Sequence, residues 1–233
     1  MLKEKCLIIF DLDGTLIDSV PDITEAINHT FRRGTKDKIS RNLVEKLMGK
    51  GSRELIKQIQ IVTGDKQTAS QLSLEKRFYE RYSTDSFRNS KIYEGVIETL
   101  EKLKSKKKYV LACLTNKPEE IAKNILKKAN LENYFELVRG ASESRRLKPC
   151  PTNINAITKK LKIKRDRTIL IGDSNVDYET AKFSGISCIL LSCGYSRIKS
   201  KTDSSVISVV SSIRETTLLT ENYFSKKMAQ SGN

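Results

Sequence analysis

Leu7-Ile8-Ile9-Phe10-Asp11-Leu12-Asp13-Gly14-Thr15 is the stretch from which the rest of the chain is read. Four apolar residues in a row suit a strand covered on both faces, as in a parallel sheet flanked by helices. The run stops at two carboxylates spaced i, i+2. Because side chains alternate along a strand, Asp11 and Asp13 project the same way from its carboxyl end. Like charges held side by side ask for a cation, and a divalent metal supplies one. Gly14 then lets the backbone turn away sharply. A plain Asp-Gly turn or a calcium-binding loop also places acids in this way. The calcium loop fails on spacing: its sixth position, counted from Asp11, must be glycine and is Leu16, and the segment before it is strand-like rather than helical.

Residues 109–114, 168–171 and 187–191 repeat the apolar run, and residues 96–103, 119–129, 152–161 and 178–183 carry apolar side chains at three- and four-residue spacing. This alternation predicts a doubly wound, Rossmann-like α/β fold with a parallel sheet. Right-handed crossovers then gather the carboxyl ends of the strands along one edge. Residues 20–89 break the alternation, with helices expected over 22–31, 41–48, 53–62 and 68–82 and no strand. They read as a small helical cap inserted into a core of residues 1–19 and 90–233, lying over the edge where ligands bind. The tail from about Ser225 is polar and expected to fray.

The chain has 233 residues and is 38% apolar, enough for a full α/β core and a small second unit. No apolar run reaches the roughly 18 residues that cross a bilayer, and residues 6–10 are too few for a signal-peptide core, so a cytoplasmic protein is expected. The five cysteines form no close pairs, and Cys6, Cys113 and Cys188 fall inside strand-like runs, as reduced, buried thiols do. Lys and Arg exceed Asp and Glu by 43 to 28, a formal +15. Basic residues are scattered through 102–108, 123–128, 159–167 and 197–201 without interleaved aromatics. That pattern suits solvated helix faces and argues against a nucleic-acid platform, although a positive field speeds encounter with a small anionic substrate. His29, the only histidine, is given no role.

Three further loops follow predicted strands or turns. Leu114-Thr115-Asn116-Lys117-Pro118 sets a hydroxyl and an amide before a helix, where phosphate binds well and where Thr-Asn also serves as an ordinary cap. Leu147-Lys148-Pro149-Cys150-Pro151 carries one lysine on a backbone restricted by prolines; a lone lysine is otherwise a surface charge. Gly172-Asp173-Ser174-Asn175-Val176-Asp177 brings two acids four apart to a strand end, as metal ligands or as a helix cap. An acid pair, a hydroxyl, a cation and a second acid pair, three of the four loops standing directly at strand ends, are poorly explained by coincidence.

In order, type and context these four loops resemble the motifs of the haloacid dehalogenase superfamily, and within it the phosphoglycolate phosphatases. The resemblance implies a magnesium-dependent phosphatase for a small phosphate monoester, 2-phosphoglycolate first among candidates. It implies Asp11 as the nucleophile that forms an aspartyl phosphate and Asp13 as the acid and base. Mg2+ is then held by Asp11, the backbone carbonyl of Asp13, and Asp173. Thr115, Asn116 and Gly14 lie against the phosphoryl group, Lys148 neutralises charge, and Asp177 orients Lys148 or metal-bound water. Family dehalogenases lack an acid like Asp13, which disfavours that chemistry. Gly49-Lys50-Gly51-Ser52-Arg53 matches the cap's specificity loop, so Lys50 and Arg53 are candidates for a substrate carboxylate, or an exposed lysine and a helix-opening arginine. Nucleotidases, pyrophosphatases and sugar-phosphate phosphatases or mutases share the loops. A nucleic-acid-binding protein is a remote alternative that leaves the ordered acids unexplained.

Overall fold

A computed structural model describes residues 5–31, 38–64, 70–142, 144–195 and 203–230. In it the opening apolar run is strand β1, Cys6–Phe10, buried along its whole length. The next two strands are short: β2 (Ile17–Asp18) and β3 (Lys91–Ile92) pair antiparallel as a separate ribbon. β4 (Tyr109–Pro118) lies parallel to β1 on one side, with β5 (Leu137–Ala141) beyond it. β6 (Thr168–Gly172) lies parallel to β1 on the other side, followed by β7 (Ser187–Leu191) and β8 (Val206–Val210). The resulting sheet has the order β5-β4-β1-β6-β7-β8. Chain order reverses at β1, which makes its carboxyl end the point where a doubly wound sheet opens a crevice for ligand.

Alternation along the central strands divides the core in two. Ile8 and Phe10, with Leu111, Cys113, Ile169 and Ile171, face α5 (Val96–Ser105), α6 (Glu119–Lys128) and α9 (Glu215–Gln230). Leu7 and Ile9, with Ala112, Leu114 and Leu170, face α7 (Thr152–Leu161) and α8 (Asn175–Ser184). Each fully buried Leu, Ile or Phe contributes roughly 1.5–3 kcal/mol, so a charge introduced anywhere in β1 would undo the sheet's centre. Phe10 also meets Phe135 edge to face at 6.2 Å. The predicted fold class is the one observed.

Between β2 and β3 run four helices: α1 (Val20–Phe31), α2 (Arg41–Leu47), α3 (Ser52–Thr63) and α4 (Gln71–Asp85). They form the inserted helical cap. Residues 68 and 69 of the expected fourth helix lie outside the described residues. Caps explain the starts of α2 and α4, since Ser40 and Ser70 each accept from the backbone N–H three residues on. α3 ends at Gly64 in the left-handed conformation. The cap shares its apolar interior with the sheet: Ile23, Ile27, Leu55, Ile56 and Phe78 belong to the same buried cluster as Phe10 and Leu12. Its two ends are tied together at Asp22, whose carboxylate accepts from the backbone N–H groups of Arg88, Asn89 and Ser90 and from Ser90 Oγ.

Several elements depart from expectation. The edge strands β5 and β8, the ribbon and α9 were not foreseen; edge strands keep exposed positions and β5 contains Arg139-Gly140, so neither reads as a buried run. The tail does not fray at Ser225. Helix α9 continues to Gln230, because Phe224 is buried against Tyr109 at 5.9 Å and Leu219 and Tyr223 pack on the same cluster. Cys6, Cys113 and Cys188 are buried, whereas Cys150 is half-buried and Cys193 exposed. Lys102, Lys104 and Lys107 sit on exposed surface, and the basic stretch 197–201 falls outside the described residues. Among the described residues no helix is long and apolar enough to cross a membrane.

Candidate active site

The register of the sheet assembles the site. Phe10 lies opposite Cys113 of β4 and Ile171 of β6, so Asp11, Thr115 and Asp173 emerge together one or two residues later. The backbone N–H of Asp11 still donates to Ile171 O at 2.9 Å, which holds the first acid at the strand's end. Its Oδ1 accepts from Leu12 N at 2.7 Å and from Lys148 Nζ at 2.8 Å. The Lys148 ammonium is buried and shared with Asp177 Oδ1, also at 2.8 Å.

Asp177 serves two ends at once. Its other oxygen accepts from Ser174 N and Oγ while Ser174 Oγ accepts from Asp177 N, a reciprocal cap at the start of α8. The loop caps the helix and at the same time sets a carboxylate beside Lys148. Asp173 is fixed by Thr15 Oγ1 at 3.0 Å and by the backbone N–H of Tyr195 at 2.9 Å. Gly14 is required here for two reasons: its φ is +86°, and a Cβ would stand 2.4 Å from Asp173 Oδ2. Gly14 therefore packs behind Asp173 and is not on the pocket wall, where it had been expected to meet substrate.

Oxygens of Asp11, Asp173 and Asp177 lie within 4.8 Å of one another, all three residues buried. Burial pushes the Asp11 carboxyl well above the ordinary range, with Asp177 and Asp173 adding to the rise and Lys148 opposing it. Burial and then Asp177 push Asp173 up to about 7. Three buried carboxylates against one ammonium leave an excess of negative charge that a divalent cation relieves, and all-oxygen donors suit Mg2+. The residues fit the metal that the sequence implied. The carboxylate that joins Asp11 and Asp173 is that of Asp177; Asp13, expected to contribute only its backbone carbonyl, turns its side chain elsewhere.

Asp13 Oδ1 contacts Ser19 Oγ at 2.5 Å and Lys117 Nζ at 3.0 Å. Lys117 is 6% exposed and also donates to Tyr82 Oη of α4 at 2.8 Å. Burial disfavours its charge, but Asp13 and Tyr82 together outweigh this and hold the ammonium above its ordinary value; burial likewise raises the Tyr82 phenol to about 12. No role had been assigned to Lys117 from sequence, although it stands inside the second loop next to Asn116. Tyr82 carried no sequence signal.

The second loop is not a loop: Thr115, Asn116 and Lys117 are the last turns of β4 before α6. Thr115 lines the pocket, its Oγ1 accepting from Lys117 N at 3.1 Å. Asn116 also lines it, but its side chain is occupied, donating to Gly49 O at 3.0 Å and Lys148 O at 3.1 Å and accepting from Lys148 N at 2.7 Å. It braces the lysine loop and the cap loop against the sheet. The start of α6, expected to favour phosphate, opens on Glu119 and Glu120, which already complement the dipole.

These groups form the floor of a pocket roofed by apolar residues of the cap, among them Ile23, Met48, Leu55 and Phe78. The cap's glycine loop meets it through Gly49, Gly51 and Ser52. Lys50 and Arg53 do not line it. Lys50 is exposed, and the Arg53 side chain, 74% exposed, pairs with Glu75 at 3.0 Å. The glycines bring backbone to the pocket and turn these two cations away.

A model of haloacid dehalogenase-like hydrolases matches residues 8–191 of the chain, which covers β1 through β7 and every residue of the site except Tyr195. The chain belongs to that family. Its relatives narrow the class. It is 30% identical over 215 residues to phosphoglycolate phosphatase 1 of Pseudomonas aeruginosa, covering 90% of this chain and 77% of that one. With the phosphoglycolate phosphatase of Aquifex aeolicus it shares 33% identity over 195 residues, 84% of this chain and 88% of the relative. The crystal structure of a predicted phosphoglycolate phosphatase from Haemophilus somnus superposes with a TM-score of 0.77 at 28% identity, covering 84% and 88% of the two chains. The protein is a haloacid dehalogenase-type phosphatase, similar to phosphoglycolate phosphatases.

Proposed function

We propose that this phosphatase hydrolyses 2-phosphoglycolate with the help of Mg2+ and through a phosphorylated Asp11. The observation that carries the reading is the division of labour between two acids of one strand end: Asp11 is held by Lys148, while Asp13 faces the pocket beside Ser19 and Lys117. Asp11 Oδ attacks phosphorus and the bond from phosphorus to the ester oxygen breaks, with Asp13 giving its proton to the departing oxygen. In the second step Asp13 takes a proton from water, the water oxygen attacks phosphorus, and inorganic phosphate leaves Asp11 free. Lys148 offsets charge on Asp11 and on the phosphoryl oxygens, and Thr115 offers its hydroxyl to them. Mg2+, when held by Asp11, Asp173 and the Asp13 carbonyl with Asp177 behind them, supplies further positive charge to the phosphoryl group. Residues 20–89 act as the cap that excludes water above this floor.

Phosphate release measured across 2-phosphoglycolate, nucleoside monophosphates, sugar phosphates and pyrophosphate, with and without a chelator, tests the reading. A clear preference for 2-phosphoglycolate that the chelator abolishes is expected. Preference for another ester overturns the substrate while leaving the chemistry in place.

A further inference from the structure

Two ammonium groups line the pocket, and they are held differently. Lys148 lies between two carboxylates, Asp11 and Asp177, and its charge is spent on the nucleophile's side. Lys117 has one carboxylate, Asp13, and one neutral phenol, Tyr82. An ammonium has three donors, and among the described residues two of Lys117's are taken. A buried cation with a single anionic partner retains attraction for a second anion, more strongly than at the surface because its surroundings are poorly screened.

Position says which anion. Asp13 is the acid that must touch the ester oxygen of the leaving group, and Lys117 Nζ lies 3.0 Å from Asp13 Oδ1. In a phosphorylated 2-hydroxy acid a carboxylate oxygen is three covalent bonds from the ester oxygen, a reach of roughly 3 Å. A carboxylate in that place meets Lys117, whereas the phosphoryl group meets Lys148. Lys50 and Arg53 are disposed outside the pocket.

We propose that Lys117 is the specificity-determining cation of the site, binding the carboxylate of the leaving group so that phosphorylated 2-hydroxy acids are selected over uncharged alkyl phosphates. This rests on, and deepens, the phosphoglycolate reading above. Because Tyr82 belongs to α4, the recognising cation is also gripped by the cap. Specificity then comes from a core strand and a cap helix jointly, with the cap's glycine loop supplying only backbone.

The test uses two unreactive phosphonates on the full magnesium-loaded chain: 3-phosphonopropionate, which keeps the carboxylate, and propylphosphonate, which lacks it. Calorimetric titration of wild type is expected to favour the carboxylated ligand by about ten- to hundredfold, the worth of one charge-assisted hydrogen bond. Lys117→Gln keeps an amide donor toward Asp13 and Tyr82 but removes the charge. It is expected to bring the preference to within about threefold while propylphosphonate binds as before. Lys117→Met is the second variant should the first fail to fold. A wild type without preference, or a preference that survives either folded variant, overturns the assignment. Turnover separates the two readings: a chain that shows the Lys117-dependent preference but hydrolyses some other phosphorylated acid fails the phosphoglycolate reading alone.

Discussion

Tyr195 joins Asp173 to the last core residue before the cap: its backbone N–H donates to Asp173 Oδ2 at 2.9 Å, and its phenol oxygen accepts from Ser19 N at 2.6 Å. The same oxygen donates to Asp18 Oδ1 at 3.0 Å. One residue, through its backbone at one end and its phenol at the other, thus spans Asp173 and the point where the chain leaves the core.

Tyr195→Phe leaves the backbone N–H of the buried Ser19 without the phenol that accepts from it. The cost expected is about 1–2 kcal/mol, a fall in Tm of roughly 2–8 °C. An unchanged Tm would show that water replaces the phenol and that the link is dispensable.

Asp11→Asn keeps the size of the side chain and the acceptor for Leu12 N while removing the carboxylate proposed to attack phosphorus. Turnover of any phosphate ester is expected to drop by about 10³-fold or more with the circular dichroism spectrum unchanged. Residual activity near wild type would sink the nucleophile assignment.

Mg2+ held as proposed by the folded acids, and not by the unfolded chain, is expected to raise Tm. At a hundredfold excess over Kd the gain is about 2.7 kcal/mol, or roughly 5–10 °C, reversed by a chelator. Asp173→Asn should lose most of that rise. A rise of equal size in the variant would place the ion elsewhere.

Lys50→Ala and Arg53→Ala are expected to leave relative rates on 2-phosphoglycolate and an aryl phosphate within about twofold, and the lost Arg53–Glu75 pair should cost no more than about 1 kcal/mol. A selective loss on 2-phosphoglycolate would return these residues to the substrate.

The parts legible in sequence were those fixed by local pattern. Residues 7–10 read as a buried strand because both faces of β1 are covered, and the four loops converge because every pairing within the six-stranded sheet is parallel. Edge strands, only partly covered along most of their length, carry no such pattern. Lys117 was missed for another reason: a lysine after Thr-Asn is usually a surface charge, and what buries it is Tyr82, 35 residues away in the chain. The cap loop misled through its glycines. They do mark a close approach, but of the Gly49 carbonyl to Asn116 rather than of the neighbouring cations to a ligand.

The knot at Asp22 has a mechanical consequence. Four donors from residues 88–90 gather on one carboxylate in the first turn of α1, and the β2–β3 ribbon runs directly below. Both legs of the insertion are fastened to each other at one spot, so the exit of the chain from the core and its return form a single stem. The strand that carries Asp11 keeps its own pairings with β4 and β6, and the register of the acids is set by the sheet rather than by what the stem bears.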